Sequence, residues 1–181
     1  VVVPAESQVD VEVGRGGLFK FAGHEHVIRI PVHGGDVTAV PGDLGASSVR
    51  LTFKTGESRV LSSGGPADDI PRIEEKMRGP AVLDAAAFPE ASFVSRRVTG
   101  AYAETGATDL VVEGELRLRS VARTLKVPVT VERKDGRLVA SAKLSLRQTD
   151  LGIQPVSVAG VVKVKNELQL ELRVVARCDP P

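Results

Sequence analysis

Tryptophan is absent from the 181 residues, tyrosine and methionine occur once each, and aromatic residues make up 3% of the chain. A binder of single-stranded nucleic acid stacks bases on aromatic platforms, and a sugar cleft stacks rings on the same surfaces; neither is supplied here. Charge of one sign is missing too. Lys and Arg number 24 against 23 Asp and Glu, a formal net charge of +1. That balance gives no electrostatic reason to bind nucleic acid or an anionic membrane. The single cysteine, Cys178, excludes an internal disulfide. No apolar run approaches the ~18–20 residues of a membrane helix. Val1-Val2-Val3-Pro4 lacks the basic and apolar regions of a signal peptide. The chain also has no G-x-S-x-G, P-loop, G-x-G-x-x-G or H-E-x-x-H signature, and only three histidines to act as bases.

What the chain does have is aliphatic residues in strict alternation. Leu110, Val112, Gly114, Leu116 and Leu118 share one face, and Glu113, Glu115, Arg117 and Arg119 the other. Leu125, Val127, Val129 and Val131 alternate with Lys126, Thr130 and Glu132. Leu168, Leu170, Leu172 and Val174 alternate with Glu167, Gln169, Glu171 and Arg173. A period of two marks a strand with one dry and one wet face. A sheet buried on both faces would read as continuous apolar runs instead. The chain therefore builds an antiparallel wall, apolar inside and charged outside.

Other segments extend the wall. Val9, Val11 and Val13 predict a first strand, ended by Gly14 to Gly17. Leu18 to Val32 predicts a second, interrupted near Gly23, with a turn at His33-Gly34-Gly35, a weak strand through Val37 and a turn at Pro41-Gly42. Val49, Leu51 and Phe53 predict another strand, and Ser58 to Asp69 a polar loop. Ile70, Ile73 and Met77 then fall at helical spacing, with Asp68 and Asp69 at the N-cap and Gly79-Pro80 as terminator. A second helical turn is expected over Asp84 to Phe88, a strand from Phe93, and turns at Ser120 to Arg123 and Asn166. Lys134-Asp135-Gly136 is a hairpin signal, because Asp-Gly tolerates positive φ. The pattern is one all-β domain over 1–181, a barrel or sandwich with a short helical insertion. Barrel closure would remove the open edges of so long a sheet.

Three constellations could carry chemistry. In Gly23-His24-Glu25-His26, the imidazoles of His24 and His26 share a strand face with Ile28 and Ile30. They read as hydrogen-bonded structural histidines, as the polar lining of a ligand mouth, or as two ligands of a metal that would need a third. Met77 and Phe88 either pack the helical insertion on the wall, with Arg78 outside, or form a lid touching a ligand. Arg117, Arg119, Arg123 and Lys126, interspersed with Glu113, Glu115 and Glu132, read as a solvated mixed-charge face.

The ordered set of segments resembles the YceI-like family over roughly Pro4 to Ala176. The resemblance is carried by Pro4 to Val9 at the opening strand, by Lys76-Met77-Arg78-Gly79, and by Leu83 to Phe88 followed by Pro89 and Ala91-Ser92-Phe93. It continues in Gly114 to Leu125 and in Arg147 to Ile153. It implies an antiparallel lipocalin-like β-barrel that binds an isoprenoid or other amphiphilic small molecule, without a cofactor and without enzymatic activity. It also implies a homodimer and a periplasmic or cell-envelope location. On that reading the walls of the binding site are Phe19, Phe21, Ile28, Phe53, Phe93, Leu116, Val129, Leu144 and Leu170, with His24 and His26 at the mouth and Met77 on the lid. The competing expectations are a filled barrel serving as a structural or protein-interaction module, and a metal-binding protein built on His24 and His26.

Overall fold

The computed structural model describes residues 1–16, 26–61, 67–101, 103, 106–155, 157–158 and 162–177. Ten strands are assigned among them: β1 Gln8–Gly16, β2 His26–Thr38, β3 Ser48–Lys54, β4 Arg59–Leu61, β5 Glu90–Gly100, β6 Ala107–Leu118, β7 Val121–Lys134, β8 Arg137–Arg147, β9 Ser157–Val158 and β10 Val162–Arg177. One helix, α1, spans Ile70–Arg78. The antiparallel sheet runs β1-β10-β8-β7-β6-β5-β3-β2 and closes because β2 also pairs with β1. Eight strands thus form a closed antiparallel barrel. Closure leaves each ring strand paired on both sides, which is why strands with such apolar inner faces need no charged edge for protection. The short β4 and β9 are additions, on β2 and β10 respectively.

The alternation works as the sequence predicts. β6, β7 and β8 pair in register, as in Leu110↔Val129, Val131↔Ala140 and Val112↔Val127, so like faces meet across neighbouring strands. Asp135 and Gly136, both at positive φ (51° and 70°), make the two-residue turn between β7 and β8. On the outer face, charges pair across strands. Asp10 receives a forked hydrogen bond from Arg29 (2.8 and 2.7 Å), Lys126 pairs with Glu113 and Lys143 with Glu171, and Glu115 is held by both Arg96 and Arg117. The mixed-charge face around Arg117, Arg123 and Lys126 is thus an ion-paired outer wall. Arg119 departs from it, donating to the Val82 carbonyl at 3.1 Å.

Several local expectations are corrected. His33-Gly34-Gly35 is not a turn. β2 runs through it with a bulge between Val32 and Gly34, and Gly35 takes φ 151°. The strand changes partners around the bulge: His26 to Pro31 pair with β1, Val27 to Arg29 also with β4, and Val32 together with the residues after the bulge pairs with β3. Similarly, Gly14 does not end β1, which continues to Gly16 past a register shift between Val13 and Arg15. The polar stretch from Ser58 contains β4, whose residues add to β2, and the 3₁₀ turn Ala67–Asp69. Asp69 stands at the N-cap of α1 in helical conformation, so its carboxylate does not cap; it accepts from Arg72 instead (2.9 Å). The turn expected over Asp84 to Phe88 is present, closed by Phe88 N–H donating to the Asp84 carbonyl at 2.8 Å. Between β6 and β7 only residues 119 and 120 turn; Val121 to Arg123 already belong to β7. Asn166 lies within β10, where it exchanges hydrogen bonds with Thr149. Of the strand expected over Leu18 to Val32, the part before His26 falls outside the described residues.

Candidate functional site

The inner faces of the eight strands enclose a cavity of about 650 Å³. β1 gives it Val9, Val11 and Val13, β2 gives Ile28 and Ile30, and β10 gives Leu168, Leu170, Leu172 and Val174. These are the dry-face residues of the alternation, and closing the sheet turns that face into a lumen. Part of the lumen is filled. Leu51, Phe53, Phe93, Val98, Val112 and Val127 are buried against one another. The rest is hollow. Leu116, Leu125, Val129, Leu144, Leu170 and Leu172 point inward yet are only partly buried. In an enclosed barrel that residual exposure faces the cavity. The lumen therefore differs from a filled core, in which such leucines would be fully covered.

The two ends of the barrel differ. At the α1 end the lumen is capped by Met77, Leu83, Leu151 and Ile153, with relative exposures of 6%, 9%, 6% and 4%. α1 is tied there to the segment from Ser58 to Val60. Arg78 donates to the Ser58 carbonyl (2.8 Å) and to Glu74 (3.0 Å), while Glu74 accepts from the Val60 N–H of β4 (2.9 Å). Arg78, expected on the solvated face, thus fastens the cap. At the opposite end the lining residues Ala39, Pro41, Ser48, Gly106 and Arg133 are exposed, and here the lumen reaches solvent.

Of the residues expected at a binding site, Ile28, Phe53, Met77, Phe93, Leu116, Val129, Leu144 and Leu170 all line this one cavity. Met77 does so as part of the cap. Phe19, Phe21 and His24 lie outside the described residues. His26 begins β2, paired with Val13, and its side chain also lies outside the description. Phe88, the other lid candidate, is not among the lining residues; its carbonyl accepts from Thr55 (2.7 Å). Among the described residues no three His, Cys, Asp or Glu side chains come together as a metal site.

Two groups escaped the sequence reading. Leu83 and Ile153 close the lumen from loops and Leu151 from the short 3₁₀ helix Gln148–Leu151, where no periodicity marks an inward side chain. Arg133 continues the inward parity of Leu125, Val127, Val129 and Val131, a signal obscured because it abuts the Lys134-Asp135-Gly136 turn. Among the described residues it is the single charged one lining the lumen. On the outer wall, the hydrogen bond that Arg29 donates to Asp10, together with the charge of Asp10, raises the pKa of Arg29 despite the opposing effect of desolvation.

The family model for the YceI-like domain matches residues 1–176. No curated protein matches the sequence. Among solved structures, the crystal structure of Burkholderia cenocepacia BcnA is similar at a TM-score of 0.70 and 20% identity, over 97% of this chain and 99% of that one. A polyisoprenoid binding domain from Saccharophagus degradans, implicated in plant cell wall breakdown, is similar at a TM-score of 0.70 and 12% identity, over 98% and 97% of the two chains. The Campylobacter jejuni YCEI protein is similar at a TM-score of 0.62 and 12% identity, over 81% of each. At these identities the likeness is one of fold.

Proposed function

The chain belongs to the YceI-like family, and from that premise we propose that its barrel is a non-enzymatic binder of a long apolar or amphiphilic molecule, an isoprenoid or other lipid-like chain. The observation that carries this reading is the lumen: about 650 Å³ of space walled by aliphatic side chains inside a closed sheet. At roughly 30 Å³ per water-sized group, it has room for about twenty non-hydrogen atoms. Its size lies within the range of small-molecule sites. The Saccharophagus degradans relative, described as polyisoprenoid binding, supports the ligand class.

The energetics fit such a role. Each CH₂ moved from water into the lumen contributes roughly 0.8 kcal/mol. Ten would give about 8 kcal/mol, near micromolar affinity, before ordering costs are subtracted. Ile28, Leu116, Val129, Leu144 and Leu170 would touch the chain, Phe53 and Phe93 would form the packed wall beside it, and Met77 the floor. The reading assigns no cofactor. The family resemblance further supports a periplasmic or envelope location and a homodimer, which cell fractionation and analytical ultracentrifugation respectively would measure.

The deciding experiment is native mass spectrometry of the purified protein, with organic extraction and identification of anything bound. A reproducible apolar adduct of several hundred daltons is expected to copurify or to form on adding a polyprenyl compound. A clean apo mass that persists after such addition would favour a structural or interaction module instead.

A further inference from the structure

An arginine on the inner face of an apolar barrel needs a reason. β7 turns Leu125, Val127, Val129 and Val131 into the lumen, and Arg133 occupies the next inward position. Its neighbours in sequence, Glu132 and Lys134, take the outward parity. Across the hairpin it is paired in register with Leu138, itself a lining residue. Arg133 is exposed and stands at the open end, opposite the cap made by Met77, Leu83, Leu151 and Ile153.

On the outer wall Arg29, Arg96, Arg117, Arg123 and Arg137 each meet a carboxylate, while the exposed Arg50, Arg97, Arg147 and Arg173 form no ion pair among the described residues. Among the described residues Arg133 has no such ion pair either. What sets Arg133 apart is its inward position on the lumen lining. A guanidinium presents a planar fork of donors suited to carboxylate or phosphate oxygens. Placed at the rim of an aliphatic tube, it matches a molecule with an apolar chain and an anionic end.

Resting on the proposed lumen-binding function, we infer that Arg133 is a specificity-determining residue, which selects amphiphiles with an anionic head, carboxylate or phosphate, over neutral ones. The chain lies along the lumen toward Met77 and the head stays at the mouth. From Leu125 to Arg133 the inward face of β7 covers about 27 Å at roughly 3.4 Å per residue. At a typical barrel tilt of about 40°, that is some 20 Å of axial depth, enough to seat a chain well below a head held at the rim.

The test is a competition assay in which dodecanoate, dodecyl phosphate and dodecanol displace a fluorescent lipid from the wild type, from R133Q and from K134Q. The wild type is expected to prefer at least one anion over dodecanol by tenfold or more, which corresponds to about 1.4 kcal/mol. The better of the two anions names the head group. R133Q is expected to bring that anion down to the dodecanol value while leaving dodecanol unchanged. K134Q, which removes a nearby outward charge, is expected to change nothing. Equal binding of all three molecules by the wild type would overturn the inference while leaving the lumen reading intact. So would a preference that R133Q retains or that K134Q also abolishes. If neither the fluorescent lipid nor any of the three binds, the lumen reading itself fails and the inference with it.

Discussion

Gly114 on β6 lies directly beneath the ring of Phe93 on β5. A Cβ built at Gly114 would stand 2.5 Å from Phe93 Cζ, 2.6 Å from the Val94 carbonyl oxygen and 2.9 Å from Ser95 Cα. The position faces the lumen, between Val112 and Leu116, where the rest of the strand carries branched side chains. Only a hydrogen leaves room for the ring and for the close approach of β5, whose register shifts between Ser95 and Arg97.

Replacing Gly114 by alanine is therefore expected to destabilise the barrel. Overpacking of this kind costs about 1–3 kcal/mol, and two of the three obstructing atoms are backbone, which yields less easily than a side chain. Denaturant unfolding of Gly114→Ala, Phe93→Leu and the double variant measures it. Phe93→Leu is expected to recover part of the Gly114→Ala loss. Strict additivity would show that the ring is not the obstacle.

A second prediction concerns barrel closure. Ser7 is 4% exposed, and its hydroxyl donates to the Val3 carbonyl (2.8 Å) and accepts from the Val175 N–H of β10 (2.9 Å). It ties the start of β1 to the end of β10, where the N-terminal segment also bridges through Val2 and Ala176. Ser7→Ala leaves the Val175 N–H without its acceptor, at a cost of about 1–3 kcal/mol. Amide hydrogen exchange should quicken at Val175 more than at Leu144 on β8. Uniform acceleration along both strands would argue against a local seam.

The forked Arg29–Asp10 pair predicts a pH profile. Because Asp10 raises the pKa of Arg29 in the folded state, the stabilisation tied to the arginine charge is fully present below the unfolded arginine pKa. It is lost only as pH rises through the still higher folded value. Both lie far above the neutral range, so the gap in stability between wild type and Asp10→Asn should be level from about pH 6 to pH 10. With side chains 40% and 24% exposed, solvent screening limits the gap to about 1 kcal/mol or less. A gap that changes steeply within that window would assign the effect to another group.

The wall was legible in the sequence because a two-residue period depends only on the alternation of side chains along a strand. That is why Leu116, Val129, Leu144 and Leu170 fell on the lumen face before any pairing was known. The His33-Gly34-Gly35 bulge was not legible. Glycine pairs also mark turns, and the difference lies in β3, β1 and β4 all pairing with β2. The cap escaped for a related reason: Leu151 and Ile153 are placed by tertiary contacts of a short 3₁₀ helix and a loop with no period of their own. Hollowness was out of reach as well, since an inward leucine in a filled barrel and one in an open lumen occupy the same position in the pattern.

That last ambiguity is resolved energetically by Leu144. It is paired in register with Leu170 across β8 and β10, and both are partly buried residues of the lumen. In a filled core, Leu144→Phe would force added volume against its neighbours and cost about 1–3 kcal/mol. Here the ring has space to enter, so the expected change in stability is under about 1 kcal/mol, with little loss of melting temperature. The cost moves to binding instead. The ring occupies volume that a long chain needs, and affinity for a long-chain ligand should fall tenfold or more, about 1.4 kcal/mol. A short-chain analogue that does not reach Leu144 should bind almost as before. Calorimetric titration of both ligands, alongside thermal melts, separates the cases. A large stability loss would mean that the lumen is packed around Leu144. Unchanged affinity for the long chain in a stable Leu144→Phe protein would place the ligand elsewhere.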